Sequence, residues 1–206
     1  MMTTTPATRC GILAGALALL LLNGESAYAH DGGLGLTASF EQGFLHPITG
    51  VDHLIAMIAV GLLSGVLGGR AVVTVPALFV TFLLVGGVFG FFAFELVGVE
   101  MWILGSLILL GVVLTRTAKP SRPLMLVAIA LFGFAHGNAH GLELPLASSA
   151  LGYATGFAIA SCVCHASGIL VALGASRTPW KRTPIRILGL ATVGAAVFMS
   201  SSVVTG

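Results

Sequence analysis

Residues 72–94 read VVTVPALFVTFLLVGGVFGFFAF, an apolar run without one charged side chain. A helix needs roughly 20 such residues to cross the hydrocarbon core of a bilayer, so this stretch predicts a transmembrane helix. Five more runs of similar character surround it, at about residues 48–68, 97–115, 123–143, 148–174 and 185–204. Breakers divide them: Gly68-Gly69-Arg70, the Glu95 to Glu100 region, Thr115 to Pro123, Leu144-Pro145, and Arg177 to Pro184. The run at 148–174 is long enough to require tilt or a late start. Composition points the same way. The 206 residues are 57% hydrophobic and 8% charged, with a mean hydropathy of +1.06, whereas a soluble domain carries roughly 25% charged residues. Such a chain cannot cover a water-facing surface. A net charge of +2, with no basic tract interleaved with aromatics, gives no footprint for nucleic acid.

The first 29 residues read as a secretory signal: Arg9 in a positive n-region, an apolar stretch from Gly11 to Leu22 too short to span, and Ala27-Tyr28-Ala29 as an A-x-A cleavage site. An uncleaved signal anchor is the alternative. Cleavage leaves His30 as the first mature residue and residues 30–206 as a single domain. Basic residues sort by connection. Arg70, then Arg116, Lys119 and Arg122, then Arg177, Lys181, Arg182 and Arg186 fall in the first, third and fifth. The positive-inside rule makes that side the cytoplasm. Asp31, Glu41, Glu95 and Glu100 fall on the other side. The expected fold is therefore an all-α integral membrane protein: a six-transmembrane-helix bundle after a cleaved signal peptide, N-out and C-out. Three cysteines build no disulfide framework, and Cys162 and Cys164, two apart on a helix, should point to roughly opposite sides. Gly133, Gly137 and Gly141 recur at the spacing that lets helix backbones approach closely. Two halves of three spans related by inversion are an open arrangement, since each half begins with a His-bearing helix.

Ionisable groups cost roughly 2.5 to 3.5 kcal/mol each at the centre of a membrane helix, so histidines placed there point to use. His46-Pro47-Ile48-Thr49-Gly50-Val51-Asp52-His53 opens the first run. Proline is comfortable in a first helical turn, so the first span is expected to begin right after His46. His46 and His53 then share a face if one helix runs through both. Asp52 would either ligate a metal or orient an imidazole. The plain alternative is a polar helix cap. His136, His140 and Glu143 close the fourth run on one helical stripe, where Gly137 and Gly141 leave room for an ion or a neighbouring helix. At ~1.5 Å per residue, His53 and His136 both lie roughly 10 Å below the outer surface, so the two sets can share one site. His165 should lie deeper, either on a path or as a buried hydrogen-bonded residue. His30, with its α-amine and Asp31 beside it, is a third candidate chelate at the mature terminus. Imidazole with carboxylate suits a divalent transition metal.

His46-x5-Asp52-His53 and His136-Gly137-x-Ala139-x-Gly141-x-Glu143 resemble the two signature motifs of the HupE/UreJ family of bacterial nickel permeases, and the resemblance covers essentially the mature chain. It implies import of nickel, sometimes cobalt, across the inner membrane, with no prosthetic group and an indirect link to maturation of nickel-containing hydrogenase or urease. By that likeness His46, Asp52, His53, His136 and Glu143 take the main roles, and His140 falls on a variable position. The alternative is an intramembrane zinc-dependent hydrolase, in which three histidines with Asp and Glu hold Zn2+ beside an activated water. Neither a His-Glu-x-x-His helix nor a Gly-x-Ser-x-Gly turn is present. A proton-conducting or metal-sensing subunit would use the same groups without carrying metal. The expected activity is transport rather than enzymatic catalysis.

Overall fold

Each of the six apolar runs forms a helix, and a further helix precedes them. The computed structural model describes residues 35–116, 120–144, 148–177 and 182–205. The expected signal peptide and His30 lie outside them. The described helices are α1 (Leu36–Thr49), α2 (Val51–Leu67), α3 (Ala71–Phe91), α4 (Val99–Thr115), α5 (Arg122–Leu142), α6 (Ala150–Ser176) and α7 (Thr183–Thr205).

The start of the first span differs from expectation. Pro47 does not open a helix but sits inside the last turn of α1, and His46 belongs to that same turn. Proline has no N–H to return to the preceding turn. Three residues later Gly50 leaves the helical region at ψ 108°, and α1 and α2 meet at 79°. A side chain at Gly50 would crowd its neighbours, with a Cβ 3.3 Å from His53 Nδ1 and 3.4 Å from Asp52 Oδ1. Glycine therefore permits a sharp turn between the two histidines. No continuous helix carries His46 and His53, and they approach each other by the bend rather than by helical periodicity.

Four helices, α3, α5, α6 and α7, are long and apolar enough to cross a membrane; α1 with α2 makes a fifth candidate as one broken span. At 17 residues, α4 is shorter than α3, α5, α6 and α7. By contrast, α6 has 27 residues, about 40 Å at ~1.5 Å per residue, so it must tilt or project from a ~30 Å core.

Glycine faces set the packing. The broadest contact joins α3 to α5. There a Cβ at Gly137 would fall on the Leu83 carbonyl, and one at Gly141 on that of Gly87. This is the close backbone approach that the glycine spacing announced, with α3 as the partner. Its neighbour α6 lies along α1 through Gly43 and Gly156 and along α2 through Gly61 and Gly168. The basic connections gather at one end. Arg182 donates to the Arg116 carbonyl at 3.0 Å, and Arg70 and Arg122 line one cavity.

Candidate metal centre

Four imidazoles meet where the α1–α2 bend faces the C-terminal part of α5. His140 is the hub: its ring centroid lies 4.6 Å from that of His46 and 4.1 Å from that of His53. The His53 ring is in turn 5.0 Å from that of His136. Glu143, one turn beyond His140, places a carboxylate oxygen 3.6 Å from His140 Nδ1 and 3.7 Å from His46 Nε2. One ligand atom from each of His46, His140 and Glu143 can be chosen so that all lie within 4.8 Å of one another. His46 and Glu143 form the accessible rim, while His53, His140 and His136 are 7%, 4% and 0% exposed. The two sets of histidines do meet.

Two of these rings have their tautomer fixed by what they touch. His136 Nδ1 lies 2.9 Å from the Phe132 carbonyl, and a carbonyl only accepts, so Nδ1 carries the proton. His53 Nδ1 donates in the same way to Asp52 Oδ1 at 2.8 Å. In the neutral rings both Nε2 atoms are then bare lone pairs. Neither has a hydrogen-bond partner, nor does either nitrogen of His140, whose Nδ1 meets the Glu143 carboxylate only at 3.6 Å. A buried polar atom left unsatisfied costs roughly 1 to 3 kcal/mol, a cost that a bound cation would offset. Oriented imidazoles whose other nitrogen is tied to a carboxylate or carbonyl are a recurring form of metal ligand. Asp52 is hydrogen-bonded to His53 as an orienting carboxylate would be. Glu143, past the end of α5, has its carboxyl raised above the ordinary value by the packing around it. The charges of Asp52 and Glu100 add to this, against the pull of His53.

His165 stands apart from this group. Both its nitrogens are buried without a partner. Ser161 and Ser167, the neighbours that might have satisfied it, instead donate to the Phe157 and Cys164 carbonyls. No described protein group hydrogen-bonds this ring. Phe79, fully buried, separates it from the cluster, with its ring 5.6 Å from that of His136 and 5.3 Å from that of His165. Cys162 is exposed and Cys164 buried, on opposite sides as their spacing required.

Residues 17–199 match the HupE / UreJ protein family. The chain belongs to that family. Protein HupE of Rhizobium leguminosarum bv. viciae is 39% identical to it over 127 residues. That alignment covers 62% of this chain and 66%, just under two thirds, of the relative. No solved structure matches.

Around the motif histidines, this HupE/UreJ chain places residues that the sequence did not single out. Phe157 packs on His140 at 4.4 Å, and Tyr153 flanks His46. Neither has a feature that separates it from ordinary core aromatics. Asn138 does carry a signal, being an amide between His136 and His140 in an apolar helix. Fully buried, it donates from Nδ2 to the Phe94 carbonyl at 2.7 Å and accepts from the Leu96 N–H at 2.9 Å. It thereby ties the α3–α4 connection, where Ala93 sits at φ 60°, to the helix that bears the site. Replacing Asn138 by Leu strands both backbone groups, at about 1 to 3 kcal/mol each. The expected readout is faster hydrogen exchange at the Leu96 amide; unchanged protection would refute the tether.

Proposed function

We propose that this protein is a permease that imports a divalent transition metal ion, Ni2+ or alternatively Co2+, across the bacterial inner membrane through the His/Asp/Glu cluster. The observation that carries the reading is the set of unpartnered, buried imidazole nitrogens converging from separate helices beneath an accessible His46–Glu143 rim. The topology that goes with it has six spans, with α1 and α2 counted as one broken span and both termini of the mature domain outside. The short α4 is accommodated by local thinning of the bilayer. The metal is cargo, so no prosthetic group is required, and the link to nickel-enzyme maturation is indirect.

Arrival and dehydration follow from the ligands. Glu41, Glu95 and Glu100 concentrate cations at the outer face. The ion exchanges water for His46, His140 and Glu143 at the rim, then for His53 and His136 below, with Asp52 holding the His53 ring. Imidazole and carboxylate without thiolate bind firmly enough to strip water yet weakly enough to release the ion. His165, beyond Phe79, is the next imidazole inward. The serine hydroxyls near it are committed to helix carbonyls.

Uptake of Ni2+ into proteoliposomes, competed with Co2+ and Zn2+, tests the reading and separates transport from sensing or proton conduction. His53→Ala and Asp52→Ala should abolish accumulation while the protein remains in the membrane; normal uptake by both would remove the mechanism. Ligands bind metal only when deprotonated. Acidification should therefore raise the half-saturating Ni2+ concentration. A half-saturation unchanged between neutral and acidic buffer would argue against imidazole ligation.

A further inference from the structure

One pattern of helix contact in this molecule occurs twice. Gly61 of α2 lies against the His165 carbonyl of α6, and Gly65 against that of Ile169. Elsewhere Gly133 of α5 lies against the Phe79 carbonyl of α3, and Gly137 against that of Leu83. The glycines are 72 residues apart (61 to 133, 65 to 137), and their partners 86 apart (79 to 165, 83 to 169). The same 72-residue step carries Leu54 and Ala56 onto Leu126 and Ala128. The α2–α6 and α5–α3 pairs are one packing unit built twice. Elements related to themselves touch: the Phe79 and His165 rings, and Gly111 of α4 with Gly189 of α7, each against the other's carbonyl. Such self-paired contacts mark a twofold axis. Three spans per half place the halves in opposite senses across the membrane.

We infer that α2–α4 and α5–α7 form an inverted repeat, and that the cavity at the arginine-bearing end is the release vestibule, the counterpart of the outer site with its ligands removed. Its use as a vestibule rests on the permease reading. The 72-residue step carries His140 onto Gly68 and Gly141 onto Gly69, and it makes Met125 the counterpart of His53 and Ser64 that of His136. Gly68, Gly69 and Met125 line that cavity, of about 430 Å³, together with Arg70 and Arg122. An ion arriving there finds no imidazole to hold it and two guanidinium groups that repel it.

The halves also differ in a way that defines a motion. α2 packs on α3 and α4, whereas α5 makes no comparable contact with α6 or α7. An apolar cavity of about 270 Å³ opens between α5 and α6, with His140, Tyr153 and Phe157 on its wall. Exchanging these arrangements presses α5 onto α6, closing the outer site, and parts α2 from α3, opening the vestibule.

The test uses single cysteines in a chain whose own three are replaced by alanine. Val75→Cys reports the vestibule, where Val75 is 1% exposed, and Ala154→Cys reports the outer cavity. Ile129→Cys, at a site 0% exposed, is the buried control. Labelling by an impermeant maleimide is followed from either face of sealed vesicles, with and without Ni2+. Because a ligand shifts populations by its differential affinity, Ni2+ should change the two rates in opposite directions by about threefold or more. Changes in the same direction, or Val75→Cys labelling no faster than Ile129→Cys, would overturn the exchange. If Val75→Cys does not accumulate, Met125→Cys takes its place. Ni2+ uptake is read in the same vesicles. Its absence sinks the permease reading, while basal labelling of Val75→Cys from the arginine side still decides whether that cavity opens to that face; uptake without reciprocal labelling sinks the exchange alone.

Discussion

His140→Leu is expected to abolish Ni2+ uptake and, at the same time, make the protein harder to unfold. The ring is 4% exposed, touches His46, His53 and Phe157, and has no hydrogen bond to either nitrogen, with Glu143 3.6 Å from Nδ1. Leucine fills a similar volume without buried polar atoms, so the variant should gain roughly 1 to 3 kcal/mol of stability. It also removes the ligand that joins the rim to the buried histidines, so uptake should fall to background. The pair of readouts separates function from packing. A histidine kept for packing alone would give a less stable protein that still transports; a metal ligand gives a more stable one that does not. Thermal unfolding in detergent without metal, beside uptake in proteoliposomes, decides between them.

The second large effect is structural. Gly137→Val should prevent the protein from accumulating in the membrane, because any side chain at 137 falls on the Leu83 carbonyl. Neither backbone can yield without separating α3 from α5, the broadest contact in the molecule. Overpacking costs about 1 to 3 kcal/mol where neighbours can shift, and here more is expected since the neighbour is main chain. Gly174→Ala is the control, with nothing within 4 Å of the added methyl, and should be silent. Equal accumulation of the two variants would show that the α3–α5 contact is looser than described.

Much of this arrangement was legible before any coordinates. Uninterrupted apolar runs have few alternatives to a helix, so the positions of α3 to α7 followed within a few residues. The meeting of His53 and His136 followed from counting residues inward from one surface. The break at Gly50 did not follow. Pro47 reads as a helix start when considered alone, and only its packing inside α1 shows that the helix reaches it from the other side. Asp52 offered two roles, and the geometry adds its hydrogen bond to His53 Nδ1. Phe79 was invisible because a phenylalanine between two imidazoles looks in sequence like any other core aromatic. The repeat stayed open in the sequence for a related reason: it lies in where backbones touch, and only small residues such as Gly61 and Gly133 record that contact.

The claim on which the account rests is that histidines from separate helices share one cation. X-ray absorption at the nickel edge of purified, Ni2+-loaded protein tests it most directly. A nitrogen and oxygen shell with the outer-shell scattering of several imidazoles and no sulfur is expected, with a loss of imidazole scattering in the His140→Leu variant. A water-like all-oxygen shell, or a sulfur neighbour, would contradict it.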